Sequence, residues 1–281
     1  MHIVVNLFQA LFLIITLLVI VSYVIRKFEI DNRGADSMTP REKAGFRDIA
    51  LGILGEIVAA FVCLILYPVG RFSEPRSLSG LSFGNRPVIL CHGYMHNRAA
   101  FFFINHQLKK VGLKNLVSPN FLPVSASIPR FAEQLADVVA LVVSHTGCDR
   151  VNLVGHSMGG LVIRYYIEHY GGAARVGKAI MLGTPNFGTT MAVLSPFETA
   201  GQFRLDSPLI TNLNESFSPR DSVEYISIWS DFDNIVVPPE NAKMPEPCTN
   251  IMVRGVGHLA LLFSNQVIGQ LKLALSEESV M

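Results

Sequence analysis

The chain has 281 residues, 50% of them hydrophobic, and a formal net charge of +1 from 23 basic and 22 acidic residues. A mean hydropathy of +0.38 is too apolar for an ordinary cytosolic domain, and the excess lies in residues 1–70. There is no basic tract, so electrostatics give no case for nucleic acid as a partner. The four cysteines, Cys63, Cys91, Cys148 and Cys248, form no C-x-x-C pair and have no zinc-ligand spacing. They read as buried or unpaired thiols; a Cys148–Cys248 disulfide is the alternative that sequence leaves open.

Ile3–Ile25 is an apolar run interrupted by Asn6, Gln9 and Ser22. As a helix it spans roughly 34 Å at about 1.5 Å per residue, enough to cross the hydrocarbon core. No small-x-small cleavage site follows it, so an uncleaved anchor is expected rather than a signal peptide. A polar connection with Arg26, Lys27, Arg33, Arg41, Lys43 and Arg47 leads to a second apolar run, Ile49–Val69, interrupted by Glu56. A carboxyl group inside a bilayer costs a few kcal/mol. This second run is read as a membrane helix, the alternative being a helix lying on the membrane or packed on the domain that follows. If both runs span, the basic connection is cytoplasmic and the large domain extracytoplasmic. If only the first spans, the same rule leaves the domain in the cytoplasm.

Residues 71–85 read as a linker rich in Gly, Ser, Pro and Arg. Beyond it strands alternate with helices. Pro87–Cys91 is a strand entering His92-Gly93-Tyr94, followed by a helix over Ala99–Val111 and a strand over Leu113–Pro119. Ile128–His145 is an amphipathic helix with Phe131, Leu135, Val138, Val139 and Val142 on one face. Val151–Val154 is a buried strand and Met158–Tyr170 a helix. Gly177–Leu182, Val223–Trp229 and Asn250–Arg254 are further strands, and Leu259–Leu275 is a closing helix. This alternation predicts a mostly parallel sheet with helices on both faces. Thr190–Asp221 breaks it. With Phe197, Phe203 and Leu209 it reads either as a cap over an acyl site or as a surface excursion of two small helices.

Between the strand and helix around residue 155 stands Gly155-His156-Ser157-Met158-Gly159, the pattern G-x-S-x-G. A serine on a sharp strand-to-helix turn needs neighbours without side chains, and glycine at 155 and 159 supplies them. The same turn places the Met158 N–H where a helix begins and an anion is favoured. A serine hydroxyl used as a nucleophile needs a base, and the base needs a carboxylate to hold its tautomer. Asp233, in Ser230-Asp231-Phe232-Asp233-Asn234-Ile235-Val236-Val237-Pro238, follows one late strand; Asp231 is the alternative acid. His258, in Gly255-Val256-Gly257-His258-Leu259, follows the last strand. His2, His106, His145 and His169 fall at a terminus, within a helix or at helix ends.

These stretches resemble the α/β-hydrolase superfamily, and the wording Gly-His-Ser-Met-Gly-Gly resembles its lipases and esterases. Asp233 with the following Asn-Ile-Val-Val-Pro is similar to the family's acid loop, and Gly-Val-Gly-His-Leu-Ala-Leu-Leu-Phe-Ser to its histidine loop. His92-Gly93-Tyr94 resembles the lipase His-Gly-x motif. The resemblance implies an oxyanion hole formed by the Tyr94 and Met158 N–H groups, with His92 structural and Gly93 permitting the close turn. Gly183-Thr184-Pro185-Asn186-Phe187-Gly188-Thr189 resembles the lipase Gly-Thr-Pro-His-x-Gly-Thr loop, with Asn186 in place of the frequent His. His92, Gly93, His156, Asn186 and Phe187 are thereby expected near the substrate pocket.

The expectation is an α/β-hydrolase domain over residues 86–281, with a short cap at 190–221, behind an N-terminal membrane region. It is expected to hydrolyse lipid-like acyl esters through Ser157, His258 and Asp233, with no metal or organic cofactor. An acyltransferase using the same triad, and a membrane protein that keeps the fold only for binding, are the alternatives.

Overall fold

The computed structural model describes residues 2–32, 45–72, 80–219 and 222–276. The basic connection with Arg33, Arg41 and Lys43, and residues 73–79 of the predicted linker, lie outside them. Six strands form one sheet in the order β2-β1-β3-β4-β5-β6. They are β1 (Val88–Cys91), β2 (Leu116–Val117), β3 (Val151–His156), β4 (Val176–Leu182), β5 (Glu224–Ser230) and β6 (Thr249–Val253), and every pairing is parallel.

Parallel strands need covering on both faces. One face carries α4 (Ile128–Thr146) and α5 (Met158–His169), with Phe131, Leu135, Val139, Leu161 and Val162 packed on Leu153 and Met181. The other carries α3 (Phe102–Lys110) and, after the short helices α6 (Glu198–Gly201) and α7 (Pro208–Glu215), α8 (Asn265–Ser276); here Ile104, Leu108, Val267 and Leu271 meet Leu90, Val154 and Ile228. Ser127 begins α4 as a cap accepting from the Arg130 N–H, and Gly147 ends it at φ 66°.

Two predicted elements differ from what is observed. The strand expected over Leu113–Pro119 is only Leu116–Val117, because this edge strand pairs β1 through two residues. The closing helix is broken. A 3₁₀ turn over Ala260–Phe263 stops at Ser264, whose backbone is extended (φ −77°, ψ 127°) and whose Oγ accepts from Gln266 N–H before α8 starts.

The two apolar runs form long helices, α1 (His2–Asn32) and α2 (Phe46–Phe72), with mean hydropathies of 2.6 and 2.7 over the parts long enough to span. Both pack on the domain along one face. Cys63 of α2 joins the core between the sheet and α3. The last carbonyls of α2 receive side chains from the domain: Asn97 Nδ2 donates to Tyr67 O at 2.8 Å and Asn120 Nδ2 to Gly70 O at 2.9 Å. The Gly70 carbonyl lies in the last turn, where no partner within the helix remains. The opposite faces stay apolar and exposed, with Leu7, Leu13, Leu17 and Phe28 on α1 and Leu54, Val58, Ile65 and Val69 on α2.

Candidate active site

The sharp turn after β3 is built as its residues demand. Ser157 has φ 55° and ψ −126°, a conformation that costs a non-glycine residue on the order of 1–3 kcal/mol. A Cβ on Gly155 would stand 2.5 Å from Gly160 N, and one on Gly159 only 2.1 Å from Cys91 O. The elbow is held by Ser157 N–H donating to Leu182 O at 2.9 Å. Met158 opens α5, so its N–H precedes the helix's first repeat bond. The loop after β1 closes against the serine from the other side. A Cβ on Gly93 would lie 3.1 Å from Ser157 Cβ, and Tyr94 borders the same cavity as Ser157.

The acid and histidine loops meet at the ends of β5 and β6. Asp233 is fully buried. Its Oδ1 accepts the Ile235 and Val236 N–H groups, both at 2.8 Å, and its Oδ2 stands 2.8 Å from His258 Nδ1. Asp231 accepts instead from Gly255 N–H at 2.9 Å. The structure therefore brings Asp233, and not Asp231, to the histidine. Burial alone would push the His258 pKa down; the charge and hydrogen bond of Asp233, with a smaller part from Glu56, outweigh it and raise the pKa.

Ser157, His258, Gly93, Tyr94 and His156 border one cavity of about 340 Å³. Ile15, Leu18, Val19 and Ala60 of the two apolar helices supply much of its remaining wall. Of the apolar residues singled out in the predicted cap, Phe203 reaches this cavity, and the Tyr94 ring lies edge-on to it at 5.5 Å. Leu209 packs in the core and Phe197 is exposed.

Three other expected pocket residues lie elsewhere. His92 is buried outside the cavity lining: its Nε2 accepts the Phe121 N–H, which puts the proton on Nδ1, facing Gly93 O. Asn186 is fully buried and donates to Ala242 O at 2.8 Å while its Oδ1 accepts from Arg164. Its role is to tie the loop after β4 to α5, not to line the cavity. Phe187 is on the surface, and its carbonyl accepts from Asn241.

Residues given no role by the sequence motifs complete the arrangement. Asn234 Oδ1 accepts the His258 N–H at 3.1 Å, and its amide donates to Ser22 Oγ of α1 at 2.7 Å. Thr189 Oγ1 donates to Ile235 O and accepts from Val237 N–H, bracing the acid loop. Glu56 of α2 accepts from Leu259 and Ala260 N–H, immediately after His258. A signal for Glu56 exists in the sequence: Gly52, Ala59, Cys63 and Gly70 share its helix face, a stripe of small residues that lets a neighbour approach closely.

The histidines around the cavity give a pH prediction. Burial lowers His92 and His96 to about 4 and His156 well below the usual value of 6.5. Between pH 6.5 and 4 the unfolded chain binds protons that the folded chain refuses, so stability falls as pH drops through that window. His258 acts oppositely: its stabilisation is present below 6.5 and lost as pH rises through its raised folded pKa. Three groups against one predict a Tm lower at pH 5 than at pH 7 by on the order of 5 °C. Thermal unfolding at the two pH values checks this, and a flat Tm would contradict it.

Residues 86–208 match the family model described as alpha/beta hydrolase fold. Solved structures share the fold. The chain is similar to lipase BlEst2 of Bacillus licheniformis in its mature form, at 17% identity over 70% of this chain and 96% of that one, with a TM-score of 0.61. It is similar to lipase B of Aspergillus fumigatus at 19% identity, over 69% of this chain and 53% of that one, with a TM-score of 0.62. An alpha/beta hydrolase enzyme, MGS-MChE2, from the sediment metagenome of the Mar Chica lagoon, Morocco, matches at 18% identity over 70% and 91%, with a TM-score of 0.51. The family match begins after α2.

Proposed function

We propose that this α/β-hydrolase-fold chain is a membrane-associated serine ester hydrolase of the lipase/esterase kind. The observation that carries the reading is the Asp233–His258 pair at 2.8 Å, whose histidine borders the same cavity as a serine held on a strained strand-to-helix turn. In this reading Ser157 Oγ forms a bond to the ester carbonyl carbon while His258 Nε2 takes its proton. The oxyanion accepts from the Tyr94 and Met158 N–H groups. Collapse expels the alcohol, which carries off the proton from His258. Water then repeats the sequence on the acyl-enzyme and releases the acid. Asp233 keeps the proton of neutral His258 on Nδ1 and stabilises the imidazolium.

Two observations favour a lipid-like acyl ester. The hairpin of α1 and α2 gives the cavity a mostly apolar wall, with Ile15, Leu18, Val19 and Ala60 beside the polar Ser22 and Glu56. The outer faces of α1 and α2 are exposed and apolar over a length that suits lipid. The test uses the full chain in detergent micelles. A fluorophosphonate should abolish p-nitrophenyl ester hydrolysis and leave its adduct on Ser157. The kcat/KM should hold or rise from four-carbon to twelve-carbon acyl groups. Hydrolysis that resists the reagent would overturn the serine mechanism, and a steady fall with chain length the lipid-like substrate.

A further inference from the structure

The apolar helices are more closely tied to the catalytic loops than an anchor requires. Glu56 sits in the middle of α2 and is 1% exposed. Its two oxygens each accept one backbone N–H from the residues that follow His258: Leu259 at 3.0 Å and Ala260 at 2.9 Å. Two backbone N–H donors aimed at its oxygens favour the ionised form. The loop leaves room for nothing else. A Cβ on Gly257 would lie 2.4 Å from Glu56 Oε2 and 2.7 Å from the Tyr23 hydroxyl.

From α1, Arg26 reaches the other catalytic loop. Its Nε donates to Asp233 O at 2.9 Å and its Nη2 to Asp231 O at 2.5 Å. Ser22 holds the Asn234 amide, and Asn234 in turn holds the His258 N–H. Small residues bring the hairpin this close. A Cβ on Gly52 would stand 2.6 Å from the Phe232 ring and 2.9 Å from Gly255 O. A helix sheathed only by lipid needs no such face and would leave a carboxylate uncompensated.

We infer that the N-terminal hairpin is part of the catalytic apparatus, with Glu56 as a positioning residue that sets the His258 loop and Arg26 and Ser22 doing the same for the Asp233 loop. This rests on the reading of Ser157, His258 and Asp233 as the triad. Glu56 also adds negative charge near a ring that becomes positive during the reaction. The groups facing His258 are Asp233 after β5, Glu56 on α2, His156 at the end of β3 and His96 after β1, while Tyr23 and Arg26 of α1 lie behind the acid loop.

The experiment compares wild type, Ser157→Ala, Glu56→Gln and Glu56→Asp as full chains in micelles, with the folded fraction measured by near-ultraviolet circular dichroism. The amide keeps the size of Glu56 but sets an NH₂ against one N–H and removes the charge. Expected for Glu56→Gln is a kcat lower by about 10–100-fold, as for a catalytic group displaced by a fraction of an ångström to 1 Å. KM should change little, and the acid limb of kcat/KM should move to lower pH, because the imidazolium loses a neighbouring charge. Glu56→Asp keeps the charge one methylene short, so the limb should stay in place while kcat falls; it carries the comparison if the amide does not fold. A folded Glu56→Gln with wild-type kcat and limb would overturn the inference and leave the triad standing. So would a kcat that falls only with the folded fraction, and a folded Glu56→Asp with wild-type kcat. Hydrolysis that persists in Ser157→Ala would overturn the triad and the inference with it.

Discussion

Ser157→Ala is expected to lower kcat by about 10⁴-fold or more against any ester the wild type hydrolyses, as in serine hydrolases where the nucleophile is removed. The change deletes only the Oγ. The backbone of the turn is held by Leu182 O and by the close approach of Gly155, Gly159 and Gly160 to their neighbours, so alanine inherits the same φ of 55°. Stability should therefore move by less than about 1 kcal/mol, within the usual range for a change that creates no cavity. The combination, a large rate loss at constant Tm, separates a lost nucleophile from a damaged fold. What remains after the substitution measures how much the oxyanion donors and the cavity contribute alone. Loss of ester hydrolysis with ester binding intact is the outcome that excludes a purely binding role for the fold.

The parts of this site that were legible in the sequence are those where sterics leave few choices. Gly155 and Gly159 are required because a Cβ at either would overlap backbone. That requirement is local, so the pattern reads without knowledge of the fold. The order serine, acid, histidine follows from strands placed side by side, each ending at the same edge of the sheet. Asn186 shows the limit of motif reading. In the loop it occupies, a pocket position and a buried tether look alike in sequence, and only the partners Ala242 O and Arg164 decide between them. The hairpin shows a second limit. Hydropathy averages over all sides of a helix, so α2 scores as a membrane span even though Gly52, Glu56, Cys63 and Gly70 lie against the domain. Glu56 reads as a cost to insertion in sequence because its partners, the Leu259 and Ala260 N–H groups, are some two hundred residues away. Ser264 ends the turn after His258 by a local cap that a run of apolar residues conceals.

Asp233→Asn is expected to cost about 10⁴-fold in kcat with the fold intact, the size of effect seen when the triad carboxylate of a serine protease becomes an amide. The orientation of the new side chain follows from what surrounds it. Oδ1 accepts two backbone N–H groups, from Ile235 and Val236. An asparagine must keep its carbonyl there, because turning it would set the NH₂ against both donors. The NH₂ then faces His258 Nδ1 at the Oδ2 position, now 2.8 Å away. A donor at that point forces Nδ1 to be the acceptor and puts the ring proton on Nε2. The nitrogen that should receive the Ser157 proton is already occupied, and the imidazolium loses the carboxylate that raised its pKa. Two consequences follow together: kcat falls, and the acid limb of the pH–rate profile moves to lower pH. Asp231→Asn is the matched control. Its carboxyl accepts from Gly255 N–H, and an amide oxygen can do the same. The expected change there is less than about tenfold, the kinetic equivalent of weakening one neutral hydrogen bond. Steady-state kinetics from pH 5 to 9 on both variants decides the assignment. A large loss in Asp231→Asn with Asp233→Asn near wild type would move the acid to the other loop position and require the His258 ring to turn away from the partner it has here.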